Sequence, residues 1–189
     1  LYTYQHGHAE FVKYRDTAKI MGDYLSLLAG PGKRIYILCR EGLIYLDERT
    51  GTSKPVLIKG FQMPNNSYFP FVNFKDHLFW SNRSMIYRYN ITTAILDSVA
   101  VKMIRNIEVI TEDSIWAGST SLTSSLICFR KKIIEPVTAS LFDKKFISAD
   151  FYIAGVSRVS PRHVFVPVRF KGFFLYDMLS GRFQEVKVF

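Results

Sequence analysis

The sequence has few of the residues on which catalysis or metal binding usually depends. Its 189 residues include two cysteines and four histidines. It has no Cys-x-x-Cys pair, no glycine-rich phosphate loop and no nucleophile elbow. Its apolar runs are far shorter than the roughly 20 residues of a membrane helix. We therefore predict no catalytic residue, no metal and no cofactor in this segment, and membrane attachment only through flanking regions that this sequence lacks.

Acidic residues are fewer than basic ones, with 16 Asp and Glu against 25 Lys and Arg, and the net charge is +9. Nucleic-acid-binding proteins usually concentrate such charge on one face or helix. Here the basic residues are scattered, and the tightest cluster, Arg130-Lys131-Lys132, falls at a predicted hairpin turn. The pattern favours solvated turns, and we predict no nucleic-acid partner.

Aromatic residues are abundant, with 16 Phe and 11 Tyr in a chain that is 48% apolar and 22% charged. The apolar and charged fractions are those of a globular domain. Aromatic residues fit pleated, half-buried surfaces, so the composition favours an all-β protein.

A hairpin unit recurs along the chain. Each copy has an apolar strand, a short polar loop and a second strand rich in aromatics, and the copies span residues 34–47, 77–90, 114–130 and 163–177. The aromatic of the first strand recurs as Tyr36, Phe79, Trp116 and Phe165. A period of about 40–50 residues with four strands per unit is typical of β-propeller blades.

The outer two strands of each unit can be placed around these hairpins. Inner strands are predicted over 24–29, 68–74, 107–111 and 156–160, and outer ones over 55–58, 95–101, 133–138 and 183–188. We predict an all-β chain of four-stranded antiparallel blades that forms a fragment of a larger propeller. The predicted units are a leading half blade over 1–16 and complete blades over about 17–60, 61–102, 103–140 and 141–189.

Turn residues support the repeat. The second strand of each hairpin is the third strand of its four-stranded unit. This strand is predicted to end at Asp47, Asn90, Arg130 and Asp177. In two units the aspartate is followed four residues later by glycine, at Gly51 and Gly181. An aspartate can accept hydrogen bonds from amides two residues on, and glycine supplies a positive φ. We interpret these segments as structural turns and not as calcium loops, which need more carboxylates.

The remaining candidates for chemistry are isolated. His6 and His8 lie in the first hairpin turn without a third ligand nearby, and His77 and His163 share a repeat position that suits a turn or surface role. Cys39 and Cys128 are interpreted as small buried hydrophobic residues. Glu112 and Asp113 lie in a turn and face no evident partner in the sequence.

Several segments resemble the two-component regulator propeller repeat. Thr111-Glu-Asp-Ser-Ile-Trp-Ala-Gly-Ser119 matches its middle element, and Gly172-Phe-Phe-Leu-Tyr-Asp177 matches its last one. Other copies depart from the pattern, since Met85 and Ser125 replace its glycine and Arg130 its aspartate. The resemblance implies the periplasmic or extracytoplasmic sensor region of a Bacteroides-type hybrid two-component histidine kinase. It further implies recognition of glycan fragments, usually by a dimer.

Binding is therefore expected in the loops that join the second strand to the third and in the connections between blades. Loops on a rigid scaffold are where recognition concentrates, and arginine forks or amides beside an aromatic suit sugars or acidic groups. The candidate ligand-binding residues are Arg40, Glu41, Gln62, Asn65, Asn66, Tyr68, Asn82, Arg83, Arg169 and Lys171.

The predicted function is a ligand-sensing propeller that binds an oligosaccharide or other small ligand and signals by subunit rearrangement. Its expected partners are a second copy in a homodimer or neighbouring blades. Two alternatives remain open at this point. One is a propeller enzyme, a lyase or hydrolase acting on polysaccharide, and the other is a protein–protein interaction propeller.

Overall fold

The computed structural model describes residues 2–5, 10–13, 24–39, 42–56, 70–82, 84–101, 104–119, 125–136, 155–168 and 171–187. Every helix or strand assigned within these ranges is a β-strand. Over the same ranges, no helix long and apolar enough to cross a membrane occurs. The chain divides into two compact units, residues 1–67 and 68–189.

The first unit holds a hairpin and one four-stranded sheet. The hairpin pairs β1 (Tyr2–Gln5) with β2 (Glu10–Lys13). The sheet, blade 1, is an antiparallel meander whose strands lie in chain order: β3 (Tyr24–Gly30), β4 (Arg34–Cys39), β5 (Gly42–Asp47) and β6 (Thr52–Val56). Its core includes Ile37, Cys39 and Ile44, so the expected burial of Cys39 is confirmed.

The second unit holds three more sheets with the same order. Blade 2 contains β7 (Phe71–Phe74), β8 (His77–Ser81), β9 (Met85–Asn90) and β10 (Leu96–Ala100). Blade 3 contains β11 (Ile104–Thr111), β12 (Ser114–Ser119), β13 (Ser125–Cys128) and β14 (Ile133–Pro136). Blade 4 contains β15 (Ser157–Arg158), β16 (His163–Val168), β17 (Gly172–Asp177) and β18 (Arg182–Val186).

The predicted hairpins are confirmed, but several of the inner and outer strands that flank them begin or end at other residues than predicted. β6 begins at Thr52, three residues before the predicted start, and β18 begins at Arg182 and ends at Val186. Both begin directly after a turn glycine, because the left-handed residue returns the chain at once to its partner strand. β11 begins earlier than predicted, at Ile104, where a register shift interrupts its pairing with β12. The blade boundaries lie mostly outside the described residues and stay predictions.

The predicted end of the third strand of blade 3, at Arg130, was wrong. Asp47 pairs with Arg34, Asn90 with His77 and Asp177 with His163, but the residue opposite Ser114 is Cys128 and not Arg130. The loop between β12 and β13 differs in length from its counterparts, so counting along the sequence misplaced the end of β13. Arg130 lies two residues further on, in the turn before β14.

The same turn closes all four blades. The amide after the third strand donates to the carbonyl before the second, in Glu48–Lys33 (3.0 Å), Ile91–Asp76 (2.8 Å), Phe129–Asp113 (2.8 Å) and Met178–Arg162 (2.9 Å). Four residues after the end of the third strand, the backbone is left-handed each time, with φ of 64° at Gly51, 56° at Ala94, 54° at Lys132 and 66° at Gly181. Because this turn occurs at the same position of the strand pairing in each of the four sheets, it is direct evidence for the repeat.

Replacing Ala94 by glycine is expected to raise the free energy of unfolding by about 0.5–1 kcal/mol. The left-handed region costs an L-residue roughly 1–2 kcal/mol, which exceeds the added backbone entropy of glycine. Chemical denaturation measures the change. The control is Ala100→Gly at an exposed position in β10, where glycine should instead lower stability. Equal effects at both sites would contradict the assignment of the turn.

Apolar faces pack between successive blades of the second unit. Blade 2 contributes Phe79, Ile86 and Val99 to a core whose blade 3 members include Ile115 and Phe129. Trp116 on the other face of blade 3 packs in a core with Val164, Val166 and Phe174 of blade 4. Burying a side chain of this size contributes about 1.5–3 kcal/mol, so stacking of one blade on the next is a main source of stability.

Candidate functional site

Of the candidate ligand-binding residues, two lie within the described ranges, Asn82 and Lys171. The other candidates lie outside the described residues: Arg40, Glu41, Gln62, Asn65, Asn66, Tyr68, Arg83 and Arg169. His6 and His8 lie outside them as well.

Asn82 organises the loop between β8 and β9. Its side chain is buried, its Nδ2 donates to the Tyr87 hydroxyl at 3.0 Å, and its Oδ1 accepts from the amide of Met85 at 2.9 Å and from Ser84. Burial raises the pKa of Tyr87, and the bond from Asn82 offsets part of that rise. The Tyr87 ring stacks on Trp80 with centroids 5.4 Å apart. The amide of Asn82 therefore holds the loop in shape, and a role for it in ligand binding stays a prediction.

Lys171 occupies the equivalent loop of blade 4. Its amide donates to the carbonyl of Val168 at 3.1 Å, and Gly172 follows with a φ of 117° that only glycine adopts easily. The next residue, Phe173, is 42% exposed and stacks on Phe165 with centroids 5.6 Å apart. A cation and an aromatic pair thus occur close together in sequence at this end of blade 4.

The opposite edge of blades 2 and 3 carries a charge network that sequence reasoning missed. Arg88, on β9, donates to Asp97 Oδ2 at 3.0 Å, to Asp113 Oδ1 at 2.9 Å and to the carbonyl of Glu112 at 2.9 Å. Its guanidinium lies 4.8 Å from the centre of the Phe129 ring, and the side chain is only 18% exposed. One cation thereby joins blade 2 to both the turn and the core of blade 3.

The expectation that Glu112 and Asp113 lack partners was wrong. Glu112 binds Lys75 at 2.5 Å, which lowers the pKa of its carboxyl. Burial alone would raise the pKa of Asp113, but hydrogen bonds from the Cys128 thiol, the Arg130 amide and Arg88 together lower it. These partners lie 15 to 37 residues away along the chain, which is why spacing gave no sign of them.

Asp97 completes the network. Burial opposes its ionisation, but bonds from Lys132, the Ser98 amide and Arg88 lower its pKa below the usual value. Lys132 contacts the Asp97 carboxylate and also donates to the carbonyl of Ser98 at 3.0 Å. Every carboxylate of the network therefore faces a cation. The network, here called the ionic latch, is a set of ion pairs that hold blade 2 against blade 3, and its members are Lys75, Arg88, Asp97, Glu112, Asp113 and Lys132.

Asp113 also performs a task that another residue performs in the other blades. The side chains of Asp47, Asn90 and Asp177 each accept the backbone amide two residues later, at 2.9 Å in all three. Cys128 holds that position in blade 3, and the corresponding amide, of Arg130, donates instead to Asp113 at 2.8 Å. The Cys128 thiol donates to the same carboxylate at 3.2 Å and is only partly buried, contrary to its expected burial. The turn cap has moved from β13 to the preceding turn.

Replacing Cys128 by aspartate is expected to lower the free energy of unfolding by about 1–2 kcal/mol, although aspartate is the repeat's own residue there. The new carboxylate would lie beside that of Asp113, and like charges at such a distance repel. The matched control is Asn90→Asp, where no carboxylate competes and a change below about 0.5 kcal/mol is expected. A stabilised Cys128→Asp protein would contradict the displaced cap.

The two repeated histidines take part in local hydrogen bonds, as a structural role predicts. His77 Nε2 lies 3.0 Å from Asn90 Nδ2, and His163 Nδ1 lies 3.1 Å from Ser160 Oγ. Burial and the charge of Arg88 lower the pKa of His77. Across the described ranges, no group of three or more His, Cys, Asp or Glu side chains could hold a metal ion.

A hollow of about 130 Å³ opens on blade 3, lined by Ser114, Leu126, Cys128, Lys131 and Ile133. Pockets for sugars and cofactors usually measure about 300–1,000 Å³. The hollow holds a few water molecules at most, so it does not supply the predicted ligand site.

The comparisons with solved structures agree on the fold. The extracellular domain of a protein described as a hybrid two-component system from B. thetaiotaomicron matches with a TM-score of 0.60 and 15% identity, over 93% of this chain and 23% of that one. The β-propeller domain of Cps50 (Swd1) from Myceliophteria thermophila matches with a TM-score of 0.66 and 9% identity, over 89% and 57%. BamB from Moraxella catarrhalis matches with a TM-score of 0.57 and 16% identity, over 85% and 48%.

By sequence, no family model and no curated protein matches. The chain spans less than a quarter of the two-component extracellular domains that it matches. Identities of this size establish the fold alone. The four-stranded meanders, their repeated turn and the structural neighbours together show that this chain is a segment of a β-propeller.

Proposed function

We propose that this chain is part of the extracytoplasmic, ligand-sensing propeller of a hybrid two-component signalling protein. The observation that carries the proposal is the match to the extracellular domains of two proteins described as hybrid two-component systems, over 93% and 100% of this chain. The repeat elements at 111–119 and 172–177, which resemble the regulator propeller repeat, support it independently.

The ligand we propose is an acidic oligosaccharide bound by the loops between second and third strands. Arg40, Arg83, Arg169 and Lys171 all fall in these loops, and the chain carries a net charge of +9. Arginine forks recognise carboxylates and sulfates with paired hydrogen bonds, and aromatic faces pack on sugar rings. Binding would act on a homodimer by changing how the subunits pack, without turnover of the ligand.

Titration calorimetry against acidic and neutral oligosaccharides tests this proposal. Alanine at Arg40, Arg83 or Arg169 is expected to weaken binding of the acidic ligand about ten-fold or more, because a hydrogen bond to a charged group contributes about 1.5–3 kcal/mol. The controls are Lys54→Ala and Lys187→Ala, exposed cations outside these loops.

Three results would contradict the proposal. They are equal weakening by the control variants, a preference for neutral sugars, and cleavage of the oligosaccharide during incubation. The last would instead favour a polysaccharide-degrading propeller.

A further inference from the structure

Blade 2 pairs a histidine with an uncharged amide where two other blades pair a basic residue with a carboxylate. His77, the first residue of β8, lies opposite Asn90, the last residue of β9. The same register position in blades 1 and 4 holds the pairs Arg34–Asp47 and His163–Asp177. Blade 2 therefore lacks the negative charge that would accept a protonated ring across these strands.

The turn after β9 fixes the orientation of the Asn90 amide. Its Oδ1 accepts the backbone amide of Thr92 at 2.9 Å and that of Thr93 at 2.8 Å. Its Nδ2 is therefore the atom that lies 3.0 Å from His77 Nε2, and an NH2 group can only donate. His77 Nε2 must accept this bond, which requires that the nitrogen carry no proton.

A doubly protonated His77 ring does not fit this arrangement. With Nε2 unprotonated, the neutral ring carries its proton on Nδ1, which is buried and has no hydrogen-bond partner among the described residues. A second proton, on Nε2, would point at the hydrogens of the Asn90 amide. Turning the amide over would present its oxygen to the ring, but the two amides of the turn would then lose their acceptor.

The charged groups around His77 only partly offset one another. Arg88 on β9 and Lys75 in the turn before β8 oppose a positive ring. Glu112 in the turn after β11 and Asp76 favour one. Burial, followed by the charge of Arg88, prevails, so the pKa of His77 lies below its ordinary value of 6.5. In the range between the two pKa values unfolding takes up a proton, so the free energy of unfolding falls as the pH drops below about 6.5.

We propose that His77 and Asn90 form a pH-sensitive switch, which is closed at neutral pH and opens at mildly acidic pH. Opening breaks the bond between the two side chains and releases the turn that Asn90 caps. This turn leads directly into β10, which begins at Leu96 and holds Asp97 of the ionic latch. Mild acid therefore loosens the contact of blade 2 with blade 3. This inference does not depend on the proposed ligand.

The latch itself does not titrate in this range. The pKa values of the carboxyls of Asp97, Glu112 and Asp113 are all lowered, so these groups stay ionised while His77 takes up its proton. A change in stability at mildly acidic pH is for this reason separable from acid denaturation of the latch, which requires a lower pH.

An NMR titration of this chain tests the proposal. We expect the His77 ring to titrate with a midpoint below 6.5, and the Asn90 side-chain amide and the Thr93 backbone amide to shift with the same midpoint. The control is the equivalent amide of blade 4, that of Leu179, which donates to Asp177 at 2.9 Å. Arg162 holds the pKa of Asp177 well below its usual range, so the Leu179 amide should not follow the titration of His77.

Melting temperatures at about pH 7.5 and about pH 5.5 give a second measure. We expect the wild type to lose at least about 2 °C more on acidification than His77→Gln, whose side-chain oxygen accepts from Asn90 but takes up no proton. Asn90→Asp should abolish the acid loss, because a carboxylate accepts a hydrogen bond from the protonated ring. His163→Gln, the matched control at the same register position of blade 4, should keep it.

Three outcomes overturn the proposal. They are a His77 ring that titrates at or above its ordinary value, an acid loss in His77→Gln as large as that of the wild type, and an acid loss that Asn90→Asp retains.

Discussion

Replacing Arg88 by methionine is expected to lower the free energy of unfolding by about 3 kcal/mol. The side chain is only 18% exposed and gives hydrogen bonds to Asp97, Asp113 and the carbonyl of Glu112. Methionine keeps the apolar stem beside Phe129 but leaves two partly buried carboxylates short of a cation. Removing one member of such a pair is strongly destabilising, because the charge that remains has lost its compensation.

Guanidinium denaturation of the wild type and the variant measures this loss. The matched control is Arg162→Met, which breaks a two-pronged pair with Asp177 on blade 4. Arg162 is 55% exposed, so its pair is screened by water and should contribute about 1 kcal/mol or less. If both variants lose the same stability, Arg88 is an ordinary surface cation and the ionic latch does not exist.

A double-mutant cycle separates the latch from the turn that Asp113 caps. Asp113→Asn keeps an oxygen that can accept the Arg130 amide but removes the charge that faces Arg88. Both substitutions break the same contact. We therefore expect the double variant to lose less unfolding free energy than the sum of the two single losses, by at least about 1 kcal/mol. Additive effects would show that the contact between Arg88 and Asp113 contributes little.

Replacing Gly118 by alanine is expected to destabilise the protein by about 2–3 kcal/mol. A Cβ at this position would lie 1.9 Å from Oδ1 of Asn106, its partner across β11 and β12. Oδ1 of Asn106 is buried, so the amide has to push neighbouring atoms aside to withdraw. Forcing extra atoms into a packed interior usually costs about 1–3 kcal/mol.

Two further variants identify the cause. Gly155→Ala borders the same amide at an ordinary contact distance and should change stability by less than about 1 kcal/mol. Adding Asn106→Ala to Gly118→Ala should restore most of the loss, because Oδ1 of Asn106 is buried and has no hydrogen-bond partner among the described residues. If the double variant remains as unstable as Gly118→Ala, the clash with Asn106 is not the reason that glycine is required.

The repeat could be recognised from sequence because its signals are local. The apolar strand with its aromatic, the short polar loop, and Asp followed by Gly in the turn all lie within one hairpin and its turn. The tertiary structure confirmed each of them. The end of β13 was misplaced for the same reason: a loop of different length breaks the counting, and only the pairing of Ser114 with Cys128 reveals it.

The latch could not be located in this way, although the sequence contained a hint of it. Arg88 occupies a position that is Tyr45, Leu126 or Leu175 in the other blades. A charged residue at an otherwise apolar position that faces the next blade requires partners. The sequence cannot say which carboxylates supply them, because Asp97 and Asp113 approach Arg88 only when blades 2 and 3 stack.

By itself the sequence determined the all-β class, the hairpin repeat and its turns, since these depend on contacts between residues close along the chain. Only the tertiary structure decided which charges meet between blades and that Asp113 caps the turn in place of residue 128. Those features arise where one sheet packs on the next, and the distances between such residues in space are not encoded in their spacing along the sequence.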